Sequence, residues 1–306
     1  MPLLRPAWSF GLVLVGLYVV SDFGAVAVLD CEVLTWELYK ARGGRDAITL
    51  AFGLVVVVIP LLLAVRLLHG RQPVERSRPE RARQGAPLTG PALWCTYGVY
   101  MVMIGLGVII PVISLLAWLW SGIENGVEFA PVLGPAIDTI VFAAVGALVV
   151  VTAAVAPAWL TSRSAGRAGG VLEGAIYLTS SVPGVLVAVG ILQLILGLKR
   201  EAPLDIGGAS AWTLLEGVGI FLFVGYLMRF LSQGYAALKP ALLRVDASQE
   251  EAALGLGASA WRRFRAVVLP TIAPGAIAAY TLIFLSIAKE LPITLMLVPL
   301  NHSTLA

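Results

Sequence analysis

Ser248–Pro270 reads SQEEAALGLGASAWRRFRAVVLP, a polar, glycine-broken stretch between two strongly apolar segments. Ser248 and Glu251 have the spacing of a capping box, in which the hydroxyl takes the Glu251 amide and the carboxylate reaches back. Asp246 and Glu250 add negative charge at the positive end of that helix. Gly255 and Gly257 weaken it and offer a left-handed end position. Ser259 is placed to cap a second helix, Ala260–Leu269, with Pro270 as its stop. On it Arg262, Arg263 and Arg265 can face water and lipid headgroups, while Trp261, Phe264 and Val268 share an apolar face. The stretch therefore predicts a rigid helical elbow outside the bilayer. Physics alone admits a plainer reading equally well, an interfacial hairpin that only joins two spans.

The surroundings of the stretch set the fold class. Of 306 residues, 59% are hydrophobic and 13% charged, against about 25% charged in a soluble domain. Mean hydropathy is +0.91. Seven apolar runs approach the ~20 residues that a bilayer core requires: roughly Ala7–Leu29, Ala47–Leu68, Trp94–Trp120, Pro135–Pro157, Val171–Leu198, Trp212–Leu231 and Thr271–Leu291. Backbone groups in hydrocarbon must pair internally, so the runs are helices. Their continuous apolarity excludes a β-barrel. The expectation is an all-α, polytopic membrane protein with about seven transmembrane helices.

Charge placement orients it. Arg5, the loop after the second span, the loop after the fourth and the segment after the sixth (including Arg229 and Lys239) hold fifteen Lys and Arg residues on one side. Lys40, Arg42, Arg45, Lys199 and Arg200 make five on the other, with Lys289 near the end of the last span. The positive side is cytoplasmic, which makes the opening stretch a cytoplasmic loop. A net charge of +3 does not suggest nucleic acid. Cys31 and Cys95 are isolated and do not suggest a disulfide. His69 and His302 lack ligand spacing, so no firm metal site is expected. No Gly-rich phosphate cradle is present, so the chain itself is not expected to bind ATP.

An internal repeat links the two ends. Met1–Val26 aligns without a gap on Leu269–Thr294, matching Pro2 with Pro270, Pro6 with Pro274 and Asp22 with Glu290. Duplicated halves are common in transporters, with substrate paths at the repeat interface. The first span could also be read as a signal peptide with Ala25-Val26-Ala27 as cleavage site, but Asp22 just before that site argues against it. The alignment places the chain start just after a first copy of the opening stretch. It places the chain end inside the second copy of the following region. The expectation is a fragment of a longer duplicated protein.

Glu251-Ala252-Ala253, three residues, Gly257, nine residues, Val267, one residue and Leu269-Pro270 resemble the EAA loop of ABC importer permeases, with Val for the usual Ile. Ser180–Val185 and Lys289-Glu290-Leu291-Pro292-Ile293-Thr294-Leu295 look like the iron(III) branch, whose permeases fuse two halves of about six spans each. Ser21–Val26 resembles the corresponding first-half segment. The resemblance implies a type I importer permease fold, truncated at both ends. Residues 1–68 would be the last two spans of the first half, 69–92 a basic cytoplasmic linker, and 93–306 five spans of the second half lacking its final one. The coupling loop would be about 246–270. That loop would dock on a cytoplasmic ABC ATPase dimer, which binds the ATP and Mg, while a periplasmic binding protein delivers substrate; no cofactor is expected on this chain. The implied setting is the bacterial inner membrane, and the chain would be a transport subunit rather than an enzyme.

Acids at a membrane boundary are functional candidates by default, and carboxylates are the hard oxygen donors that suit ferric iron. Asp22 and Glu290, with Lys289 beside them, are therefore the candidate substrate path at its outer mouth. The rival is that Lys289 and Glu290 form a structural ion pair at a helix end. Asp138, Glu173 and Glu216 read as solvated boundary residues, and Gln193 as a helix–helix hydrogen-bonding group. Thiamine, polyamine, phosphonate or oxyanion cargo stays open. So does an ion-gradient-driven carrier, although such a carrier has no ATPase to dock, and a non-transporting membrane anchor.

Overall fold

The computed structural model describes residues 11–12, 15–16, 18–42, 44, 46–69, 89–126, 130–163, 166–201, 205–206, 209–299 and 304. Much of the basic linker and part of the expected first span fall outside them. The chain forms two compact units, Met1–Arg71 with Gly134–Ala306, and Gln72–Leu133.

In chain order the helices are α1 (Gly24–Val28), α2 (Leu34–Lys40), α3 (Asp46–His69), α4 (Pro91–Ile104), α5 (Ile110–Glu124), α6 (Ala130–Arg163), α7 (Arg167–Ser180) and α8 (Gly184–Glu201). There follow α9 (Ala211–Gly217), α10 (Ile220–Leu243), α11 (Ala247–Gly255), α12 (Ala260–Arg263), α13 (Leu269–Ala288) and α14 (Pro292–Leu297). A two-residue hairpin, Asp205–Ile206 against Ala209–Ser210, is the sole extended pairing among the described residues. Five helices there are long and apolar enough to cross a membrane, and the α7–α8 pair, bent by 94°, makes a sixth.

The core of the larger unit is built on small residues. Ala143, Gly146, Ala147, Val150, Ala154 and Ala158 recur at helical spacing on α6 and are buried. Such a face lets neighbouring helices approach closely. A Cβ on Gly146 would lie 2.8 Å from the Tyr226 ring of α10 and 3.0 Å from Ile287 of α13. A second cluster joins Leu38 of α2 and Leu54 and Val58 of α3 to Val185 and Val189 of α8. The smaller unit carries α4 and α5, whose apolar side chains are unburied along their length.

Three sequence expectations are corrected. The fifth span, Val171–Leu198, is two helices, because Pro183 supplies no N–H and disfavours helical geometry in the residue before it. The sixth span runs Ile220–Leu243 and not Trp212–Leu231: the chain breaks after Gly217, and Gly219 is left-handed at φ 73°. Arg229 and Lys239 thus lie inside a helix. The remaining charge asymmetry still favours the same orientation. Finally, Pro270 does not stop the second elbow helix, which continues as a 29-residue segment to Ala288. A π turn at Phe264–Val268 precedes Pro270, and another at Gly105–Ile109 precedes Pro111. A wider turn relieves the clash of a proline ring with the carbonyl four residues earlier.

Candidate functional site

The elbow forms as two capped helices around a glycine turn. Its first cap is Asp246 and not Ser248, whose amide donates to Asp246 Oδ1 at 2.9 Å. Ser248 lies within α11, so its hydroxyl is not the cap. The Ser248 amide, and after it the Ser248 side chain, hold the Asp246 carboxyl below the usual carboxylate range. That cap is present at neutral pH and is lost only as pH falls through the lowered value. Gly257 turns the chain at φ 78°, and Ser259 accepts from the Arg262 amide at 3.3 Å.

The elbow's apolar surface differs from the expected one. Val268 is fully buried, and Phe264 packs on Trp159 of α6 with ring centroids 5.6 Å apart. Leu254, Leu256 and Trp261 are the open apolar side chains, 56%, 88% and 68% exposed. Glu251 and Ala252 are exposed beside them, with Ala253 half-buried. Leu254 and Leu256 flank Gly255, and sequence reading passed over them because two glycines obscured any helical stripe. The elbow is tied to the bundle by Arg163, the last residue of α6, which pairs with Glu250 and donates to the Val245 carbonyl at 3.3 Å.

The second site lies at two helix breaks. Helical residues 18–21 end before Asp22 and Phe23, and α1 begins at Gly24. In the same way α13 ends before Lys289–Leu291, and α14 begins at Pro292. The two restarts are 268 residues apart, the offset of the sequence repeat. Asp22 accepts from the Gly24 amide at 3.1 Å. Glu290 holds the equivalent place in the second break.

Asp22, Lys289 and Glu290 line one cavity of about 200 Å³. Arg229 and Gln233, one turn apart on α10, line it too. Arg229 is nine residues into α10, about 14 Å along it. Its Nη1 donates to the carbonyls of Ser180 at 2.9 Å and Val182 at 2.7 Å. Those groups are freed by the α7–α8 break, so Arg229 braces the bend. Glu290 Oε1 is buried without a hydrogen-bond partner. It lies where a Cβ on Gly184, the first residue of α8, would meet it at 2.4 Å. Sequence reading missed Arg229 by treating a charge as the end of an apolar run.

The remaining polar candidates have structural partners. Glu173 pairs with Lys239 and Glu216 with Lys199, each at 2.5 Å. Gln193 donates to the Arg42 carbonyl at 3.0 Å, tying α8 to the segment after α2 and not to a neighbouring helix. Thr294 shares a hydrogen bond of 2.8 Å with buried Tyr226. Among the described residues, no group of three or more His, Cys, Asp or Glu side chains could hold a metal ion.

Residues 149–303 match the family described as binding-protein-dependent transport system inner membrane component. The whole chain is 24% identical over 320 aligned residues to Fe(3+)-transport system permease protein FbpB 2 of Haemophilus influenzae, spanning 59% of that protein. It is 23% identical to the maltose/maltodextrin permease MalG of Vibrio parahaemolyticus, over 64% of this chain and 57% of MalG. A 129-residue stretch, 42% of this chain, is 30% identical to PhnV of Salmonella typhimurium, named for 2-aminoethylphosphonate transport, and covers 44% of it. The chain thus spans less than two thirds of each of these relatives.

Proposed function

The chain belongs to the binding-protein-dependent transport system inner membrane components, the inner-membrane permeases of ABC importers, and from that premise we propose that it helps move iron(III) inward. One observation carries the proposal: Asp22 and Glu290, equivalent in the internal repeat, stand in matching helix breaks and line the same cavity. Two carboxylates lining one cavity are hard oxygen donors of the kind that suits ferric iron. The whole-chain similarity to an Fe(3+) permease supports the cargo.

On this reading ATP is hydrolysed on a partner subunit, and a periplasmic binding protein delivers the substrate. The elbow, with Glu251, Ala252, Ala253 and Gly257 at its turn and Leu269-Pro270 at its exit, docks on the ATPase. Leu254, Leu256 and Trp261 supply its apolar contact. The segment Ala260–Ala288 starts at the elbow and ends beside Lys289. Its 29 residues are about 43 Å long. A push on the elbow is thereby delivered at the cavity, and Arg163 carries it to α6 as well.

The test is uptake of radiolabelled iron by the full-length protein carrying Asp22→Ala and Glu290→Ala together. Loss of uptake with ATPase association intact is expected, and wild-type uptake would sink the proposal. A second reading, oxyanion cargo, is favoured by Arg229 and Lys289, which bring positive charge to the same cavity.

A further inference from the structure

The cavity is bipolar. Arg229 and Lys289 line it together with Asp22 and Glu290. A guanidinium near mid-span is expensive unless it has work to do. Bracing the bend uses Nη1 alone, and among the described residues Nε and Nη2 have no hydrogen-bond partner. Gly184 also lines the cavity as the first residue of the 18-residue α8. The positive end of that helix therefore opens on the same space as the two cations.

The Glu290 carboxylate already sits at this positive corner, and it fits it badly. Oε1 abuts Gly184 and is buried without a single hydrogen bond. A buried, unpaired carboxylate oxygen forfeits the bonds it had in water. The planar fork of Arg229 suits a group with several oxygens in one plane or tetrahedron, which could use donors that Glu290 leaves idle.

We infer that Arg229, Lys289 and the start of α8 form a site for a small oxyanion of the phosphate or carboxylate class, with the Glu290 carboxylate standing in its place until one binds. The inference rests on the cavity being the cargo site. An arriving oxyanion takes over Arg229 and Lys289, which releases Glu290 to join Asp22 in facing a cation. The oxyanion is either the cargo itself or the companion of the cation.

The experiment is equilibrium binding of radiolabelled inorganic phosphate to the full-length protein in lipid nanodiscs, with and without radiolabelled ferric ion. Lys289→Gln, which leaves the Arg229 brace on α7 and α8 untouched, should weaken phosphate by about tenfold or more, the effect of losing a charge-assisted hydrogen bond. Glu290→Gln should tighten phosphate severalfold, because it removes the resident competitor. A purely structural role for Glu290 predicts the opposite or nothing. Phosphate binding indifferent to both substitutions is adventitious and overturns the inference.

The iron arm separates the two readings. Ferric ion retained only with phosphate supports both. Phosphate that binds with this mutant pattern while iron is never retained leaves the inference standing and removes the iron reading. Iron retained equally without phosphate, and unaffected by Lys289→Gln, overturns the inference and leaves the iron reading. Retention of neither label removes both.

Discussion

The hydrogen at Gly184 is what leaves room for the Glu290 carboxylate. A methyl group there would meet Oε1 at 2.4 Å and the Pro292 ring at 3.3 Å. Gly184→Ala is expected to cost about 1–3 kcal/mol in packing and to expel Glu290 from the start of α8. Thermal unfolding checks the first part. Iron uptake checks the second, and should fall severalfold even in protein that folds to wild-type yield. Arg229 makes the complementary point about legibility. A single charge in an apolar run reads as a boundary because hydropathy carries no information about partners. The carbonyls that receive it, Ser180 and Val182, are freed by a break some fifty residues earlier. Asp22 and Glu290 were legible as a pair because they recur at one offset; the rotamer that turns Oε1 onto Gly184 was not.

The elbow was the most legible element, since its caps and turn are set by residues within a few positions of one another. Even so its first cap moved to Asp246, which precedes the helix and takes the Ser248 amide, whereas Ser248 lies within it. Gly257 sits at φ 78°, and a Cβ there would meet nothing within 4 Å, so the constraint is backbone and not space. Gly257→Leu should therefore strain the turn and abolish co-purification with the ATPase, while the bundle still inserts. Association at wild-type level would show that the turn does not form the docking face. Arg163 tests transmission from the same element. Its pairing with Glu250 is partly exposed, so Arg163→Gln should cost no more than about 1 kcal/mol of stability. The iron moved per ATP hydrolysed should nevertheless drop severalfold. Arg163→Lys, which keeps the charge, should recover most of it, and an unchanged ratio in the Gln variant would exclude Arg163 from coupling.

Across the whole molecule, the all-helical, polytopic class follows from hydropathy, because lipid demands long runs of apolar residues in self-satisfied helices. The span number does not: seven runs are expected, and five helices and one bent pair qualify among the described residues. The positions of the breaks do not follow in the same way. Pro183 follows a helix break, whereas Pro60, Pro135, Pro157, Pro240 and Pro274 lie inside continuous helices, and Pro270 follows a π turn that makes room ahead of it. That turn has a further consequence. A π turn holds one residue more than an α turn, so it is a residue of slack stored between the elbow and the cavity. Deleting Ala266 lets the helix close up with both flanks keeping their facing, and costs chiefly the clash at Pro270. Deleting one residue from the plain α-helix beyond it, at Ala278, instead turns everything downstream by about 100° and swings Glu290 away from Asp22. Residual iron uptake in the first deletion and none in the second is the expected contrast. The helix behaves as a screw thread with one tolerant place, on the elbow side of Pro270, where its length can drift over time without losing phase.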